Sequence, residues 1–220
     1  MAGAWEILAH KRVMVGILHV DTTTVAWAFG LRSLQLPHGS GVFGFTGMPF
    51  DHARNTACMT ALEHRFDYIF FLDSDVVPPP DAVARLMAHN KPLVSGLYCR
   101  RSPPVGVPVA IKNGQWLTKY RPGSLVEVDY VGAGCMLIHR SILETMKPQR
   151  DGKHWFDWRV DMKGILPAGE CLSEDFTYCK AVKSQLGIPT LLDTSVVCKH
   201  IGYAQSSFMQ FESLGAVPVP

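Results

Sequence analysis

Charge of one sign, paired cysteine motifs, internal repeats and long apolar runs are all scarce in this 220-residue chain, and each absence removes a class of protein. With 21 Lys and Arg against 19 Asp and Glu, the formal net charge of +2 is too mild to mark a nucleic-acid-binding surface, although it would not repel an anionic ligand. The six cysteines (Cys58, Cys99, Cys135, Cys171, Cys179, Cys198) include no C-x-x-C pair, which argues against a zinc knuckle or a dense disulfide framework and for reduced core residues. The longest early apolar run, Val13 to Val20, contains His19 and falls well short of the roughly 20 residues that span a bilayer. It also lacks the small-residue cleavage site of a signal peptide, so the expectation is a cytoplasmic protein without a membrane span. What is present is 47% hydrophobic and 18% charged residues, the balance of one globular domain with a sizeable core.

The first half of the chain alternates strand and helix signals. RVMVGILHV reads as a buried strand, followed by the polar loop Asp21 to Thr24 and a helical stretch around Val25 to Leu36. The glycine-rich segment Gly39 to Gly47 predicts a short strand or turn, and Asp51 is positioned to cap a helix reaching about Arg65, with Ala53, Ala57, Ala61 and Leu62 inward. The apolar run Tyr68 to Leu72, a helix from Pro80 to Asn90 and the strand PLVSGLYC complete a pattern that argues for a parallel sheet with helices on its faces. Ligands of such sheets sit at the carboxyl ends of the strands. The second half looks mixed or antiparallel: an Asn113-Gly114 hairpin turn, strands over Val126 to Val131 and Cys135 to His139, and short strands at Thr190 to Leu192 and Ser195 to Lys199. Between them, a helix from Glu174 to Leu186 is bracketed by Ser173 and Gly187. Residues 1–203 form the expected domain, and residues 204–220 read as a tail without period.

Asp73 and Asp75 close the apolar run as Asp-Ser-Asp ahead of Pro78, Pro79 and Pro80. In extended backbone, residues two apart share a face, so both carboxylates can meet one hard divalent ion such as Mg²⁺ or Mn²⁺, whose shell a substrate phosphate completes. The same triplet also reads as a strand end followed by a turn. Arg54 and Asn55 fall in the first turn of a helix, where free N–H groups suit phosphate or nucleotide, or simply face solvent. Gly132, Ala133 and Gly134 permit close backbone approach to a ligand, or a bulge. Trp155, Phe156 and Trp158 suit stacking on a sugar or base, or core packing. Ser173-Glu174-Asp175 is an ordinary helix start or a source of a general base. Arg100 and Arg101 have guanidinium forks that match phosphate or a charged acceptor, or are exposed strand ends.

The order of these segments resembles that of the nucleotide-sugar glycosyltransferases with the GT-A fold, particularly family 2-like members of bacteria and phages, over nearly the whole chain. The matching pieces are HARNTACMTALEHRFDYIFFLDSDVVPPPDAVARL, VSGLYCRR, VDYVGAGCMLIHRSIL, SEDFTYCKAVKSQLGIPTLLDTSV and VVCKHIG. The resemblance implies an α/β, Rossmann-like three-layer sandwich with a mixed, mostly parallel central sheet. It implies Mn²⁺ or Mg²⁺ held by Asp75, Asp73 and His200, with Asp73 on the metal or the ribose of a donor that is most simply UDP-linked. Arg54, Asn55 and the Gly132, Ala133 and Gly134 loop belong to the implied donor and sugar site, and Thr22, Ser74 and Arg100 are further candidates for binding the donor. Asp175 is the implied base of an inverting transfer, with Glu174 as a neighbouring acceptor contact. The location would be the cytoplasm, the host's if the chain is phage-encoded.

Two other readings compete. A nucleotidyltransferase of related fold uses paired acids on metal, but the loop after the first strand here is HVDTTT, without the Lys or Arg such enzymes carry. A non-catalytic module that binds a nucleotide sugar or glycan would share the fold, because fold alone does not establish function. The acceptor is a hydroxyl on a glycan, a small molecule or a modified base in DNA, the last without a basic run to support it.

Overall fold

Alternating strand residues build two separate apolar layers, one on each side of a central sheet. The computed structural model describes residues 10–19, 22–102, 105–147, 154–158, 172–204 and 207–211; Asp21, Cys171 and the end of the expected tail lie outside them. The sheet has seven strands. In chain order they are β1 (Val13–His19), β2 (Gly41–Thr46), β3 (Tyr68–Asp73), β5 (Leu93–Leu97), β8 (Leu125–Val128), β10 (Cys135–His139) and β11 (Thr190–Val197), arranged β2-β1-β3-β10-β5-β11-β8. β1 runs parallel to β2 and β3, and β5 runs parallel to β11, while β10 and β8 are antiparallel to their neighbours. The architecture is therefore α/β with a mixed, largely parallel sheet between helical layers, a Rossmann-like sandwich of the expected class.

In β3, Ile69 and Phe71 join the layer beneath α2 (Phe50–Glu63), α4 (Arg140–Thr145) and α5 (Glu174–Leu186). Tyr68, Phe70 and Leu72 join the opposite layer, with α1 (Val25–Ser33) and α3 (Ala82–Ala88). This is the period of two that strand geometry dictates. Along α2, Ala53, Ala57 and Ala61 are buried, and their small side chains let the helix lie close to the sheet. β1 lies between β2 and β3, so the chain leaves it first to one side and then to the other, and a crevice opens at the strand ends there.

Several local expectations change. The helix expected from Asp51 begins at Phe50, so Asp51 lies inside its first turn. The two short strands expected at Thr190 and Ser195 are one strand with an irregularity between Asp193 and Val197, where the Asp193 carboxylate accepts from both the Ser195 backbone and its hydroxyl. The single strand expected over Val126 to Val131 splits into β8 and β9 (Tyr130–Val131). β9 belongs to a small sheet with β6 (Ala110–Lys112) and β7 (Gln115–Trp116), the expected hairpin. A third sheet orders β13 (Ser207–Phe211), β12 (Lys199–Ala204) and β4 (Val76–Val77), so part of the segment read as a tail pairs with the strand carrying His200. The five described cysteines are free and buried, as expected. Among the described residues, no helix is long and apolar enough to cross a membrane.

Candidate functional site

β3 ends at Asp73, and its alternation sends that side chain to the face of α2 and α5. There Arg54 Nη2 lies 3.1 Å from Asp73 Oδ1, and Arg54 Nε donates to Glu174 Oε1 at 3.0 Å. The Arg54 side chain is only 3% exposed. Burial works against its charge, but Asp73, Glu174 and Asp175 outweigh burial and raise its pKa above the ordinary value. Nη1 is buried without a hydrogen-bond partner among the described residues. Arg54 was expected on the donor nucleotide; here it is an internal cation joining the end of β3 to the start of α5.

Asn55 likewise turns inward. Its Oδ1 accepts from Trp155 N at 2.7 Å and Phe156 N at 2.9 Å, and its Nδ2 donates to Phe156 O at 2.7 Å. The amide thus seats Trp155 and Phe156 in the core, where Phe156 stacks on Tyr178 and Trp155 Nε1 donates to Leu143 O. Trp155 and Phe156 are packing residues, whereas Trp158 is exposed.

Asp75 reaches the same crevice by another route than the extended backbone expected for it. The strand stops at Asp73, Ser74 and Asp75 form a turn, and β12 pairs with β4 so that His200 lies opposite Val76 and Ile201 N donates to Asp75 O at 2.7 Å. His200 Nδ1 lies 2.6 Å from Cys99 O. A carbonyl only accepts, so that nitrogen carries a proton, and the Nε2 of a neutral ring presents its lone pair. Nε2 faces Asp75 Oδ1 at 3.6 Å, too far for a hydrogen bond. The other carboxylate oxygen of Asp75 meets Arg101 Nη1 at 2.8 Å, and the same Nη1 donates to Ile201 O at 2.9 Å. Burial opposes ionisation of Asp75, but Arg101 and the protonated form of His200 outweigh it and hold its pKa below the usual carboxylate value.

A divalent ion fits this pair. One ion with bonds of roughly 2.1 Å reaches two donor atoms 3.6 Å apart, and the Cys99 carbonyl orients the imidazole as a backing acceptor does in metal sites. No group of three or more His, Cys, Asp or Glu side chains converges on a metal position among the described residues. Asp73, the third expected ligand, gives Oδ1 to Arg54. One carboxylate and one imidazole would be the protein's share of such a site, leaving water and substrate phosphate to complete the shell.

The Gly132, Ala133 and Gly134 loop packs against this centre without room for a side chain at either glycine. A Cβ on Gly134 would lie 3.0 Å from Asp73 Oδ2, and one on Gly132 would lie 2.0 Å from the Tyr98 hydroxyl. Gly134 O accepts from Asp73 N at 3.1 Å, and Gly134 N donates to the Tyr98 hydroxyl at 3.1 Å. Two further contacts fix the turn: Trp27 Nε1 donates to Asp73 O at 2.9 Å and Thr23 Oγ1 to Ser74 O at 3.1 Å. Thr22 is exposed beside them. Neither Tyr98 nor Trp27 carried a sequence signal, because each acts through packing across the sheet.

Asp175 is held on the other side of the loop. Ser173 Oγ donates to Asp175 Oδ1 instead of capping α5, Phe176 N donates to the same oxygen at 2.8 Å, and Ala133 N donates to Oδ2 at 3.3 Å. Burial, with Glu174 next, pushes the Asp175 carboxyl up to about 6, against the pull of Ser173 and Arg54. Glu174, expected to touch an acceptor, is buried on Arg54.

Two clefts meet here. The first, about 570 Å³, is lined by Asp73, Ser74, Asp75 and Tyr98, with an apolar wall that includes Phe45 and Phe50. The second, about 480 Å³, is lined by Asp175, Phe176, Trp116 and Arg100, whose guanidinium stacks 3.9 Å above the Trp116 ring. Arg101, Val109 and His200 line both.

No protein-family model matches the chain, and no curated protein matches it. Among solved structures, A197 from STIV superposes with a TM-score of 0.60 over 96% of this chain and 98% of that one, at 16% sequence identity. At that identity the likeness speaks for the fold, which the two chains share along almost their whole lengths.

Proposed function

We propose that this chain is a glycosyltransferase that uses a divalent cation, Mn²⁺ or Mg²⁺, to move a sugar from a nucleoside-diphosphate donor, most simply UDP-linked, to an acceptor hydroxyl. The observation that carries the reading is the junction of two clefts, one with Asp73 and Asp75, the other with a carboxyl held at about 6. A group transfer between two substrates needs such a pair of adjoining sites, and a carboxylate that titrates near neutrality is a competent general base.

In this reading Asp75 and His200 hold the cation, which when bound supplies positive charge for the leaving diphosphate. Arg54 holds the Asp73 carboxylate in its place at the cleft. Asp175 accepts the proton of the acceptor hydroxyl from the second cleft, and Ser173 and the amides of Ala133 and Phe176 keep its oxygens oriented. Attack from the side opposite the leaving group would invert the anomeric carbon. The Gly-Ala-Gly loop, expected to admit a sugar against its backbone, instead packs on Asp73 and Tyr98 and acts through the Ala133 amide that orients Asp175.

A panel of nucleotide sugars with Mn²⁺, scored by thermal shift and by slow donor hydrolysis, tests the proposal, since a bound ligand stabilises the native state by mass action. A donor that raises Tm only with the cation, and is hydrolysed, supports it; a panel without any such donor sinks it. A second reading, a non-catalytic binding module, is favoured by Arg54 and Arg101 already neutralising both cleft carboxylates. Under that reading a donor binds but Asp175→Asn changes nothing measurable.

A further inference from the structure

Arg101 stands where the two clefts meet, and its place next to Asp75 is unusual for a residue at a cation site. Its Nη1 is fixed by two bonds, 2.8 Å to Asp75 Oδ2 and 2.9 Å to the carbonyl of Ile201, the residue after His200. The side chain is nevertheless 41% exposed and lines both clefts, so it is held in place without being buried. Asp75 thus shows one oxygen to a guanidinium and the other to His200 Nε2 at 3.6 Å.

A cation bound between Oδ1 and Nε2 would share a single carboxylate with a fixed positive charge. Like charges that close repel strongly in a partly desolvated cleft. A diphosphate reverses the sign of this effect: its oxygens can take both the cation and the planar fork of an arginine, which suits phosphate geometry. From this arrangement we infer that Arg101 couples the two ligands, disfavouring the cation alone and favouring it once a diphosphate is present. The inference rests on the proposed metal and diphosphate site and adds to it an order of loading. Coupling of this kind is reciprocal, so the cation must tighten diphosphate binding by the same factor.

The test measures Mn²⁺ affinity by electron paramagnetic resonance, with and without inorganic pyrophosphate, allowing for the complex the two form in solution. Four proteins are compared: the unaltered chain, Arg101→Ala, Arg101→Gln, which keeps a donor for the Ile201 carbonyl, and Arg101→Lys, which keeps the charge. Thermal unfolding verifies that each is folded. The unaltered protein should bind Mn²⁺ weakly alone and at least tenfold more tightly with pyrophosphate. Both neutral variants should bind Mn²⁺ alone at least fivefold more tightly than the unaltered protein, with the pyrophosphate effect falling below threefold. The lysine variant should resemble the unaltered protein without pyrophosphate and show a reduced pyrophosphate effect. Neutral variants whose Mn²⁺ affinity and pyrophosphate effect equal those of the unaltered protein would overturn the coupling role while leaving the cation site standing. Folded proteins that bind no Mn²⁺ under either condition would overturn the cation site and this inference together.

Discussion

His200 turns its Nε2 toward Oδ1 of Asp75 at 3.6 Å, while Nδ1 is committed to the Cys99 carbonyl at 2.6 Å. A neutral ring so fixed sets a lone pair against a carboxylate, an arrangement that a proton or a cation between the two atoms relieves.

That relationship predicts a metal response that needs both side chains. Mn²⁺ together with inorganic pyrophosphate should raise the Tm of the unaltered protein beyond either alone, and His200→Ala or Asp75→Asn should abolish that rise while remaining folded. An undiminished rise in His200→Ala would place the ion elsewhere.

Arg54 is predicted to be a stability residue before it is anything else. Arg54→Met removes the cation between two acids and leaves the Glu174 carboxylate, 6% exposed, without its partner. Breaking a buried pair in this way costs about 3–5 kcal/mol. Chemical denaturation should show a loss of that size, and Glu174→Gln, which keeps an acceptor for Nε, should lose less. An Arg54→Met protein as stable as the original would remove Arg54 from this role.

Asp175 should set a pH limit on transfer. The base must be ionised, so the rate should climb as pH rises through about 6 and level above it. Asp175→Asn should lower transfer by about 10²–10⁴-fold with donor affinity retained. Stability should move in the opposite direction. The folded-state value lies above the ordinary 3.8, so the group's stabilising contribution is complete below that pH and is lost as pH rises through about 6. The asparagine variant should lack this slope in Tm against pH.

Gly132→Ala should be destabilising even though alanine is otherwise an innocuous replacement. Its Cβ would lie 2.0 Å from the hydroxyl of Tyr98, a buried ring that can move only by displacing its neighbours. Overpacking of this sort costs about 1–3 kcal/mol. Gly114→Ala offers a contrast, since nothing lies within 4 Å of its Cβ and the strain there comes from a φ of +72° alone. A Gly132→Ala protein with unchanged Tm and unchanged Tyr98 packing would refute the close-approach account.

Much of this centre was legible in the residues. The run Tyr68 to Leu72 gave itself away as a strand because buried strands read as continuous apolar sequence, and its end at Asp73 marked the edge of the sheet where the clefts open. The helix start at Ser173 was placed correctly too, but the role of Ser173 was not. Its hydroxyl turns to Asp175, a choice that depends on where Ala133 and Arg54 arrive from distant segments. Arg54 and Asn55 looked like an exposed first turn, because local sequence does not say that residues 154–158 and Glu174 will cover it.

Sequence alone determined the periodic elements and the chemical inventory, since strand and helix spacing fixes which side chains share a face of their own element. Only tertiary structure decided which partners those side chains meet: Glu174 lies 120 positions from Arg54, and the Cys99 carbonyl lies 101 positions from His200. The physical reason is range. Periodicity is enforced by bonds between near neighbours, whereas the pairing of β12 with β4 and the seat of Arg101 on Asp75 depend on strand order and on the desolvation of whole layers.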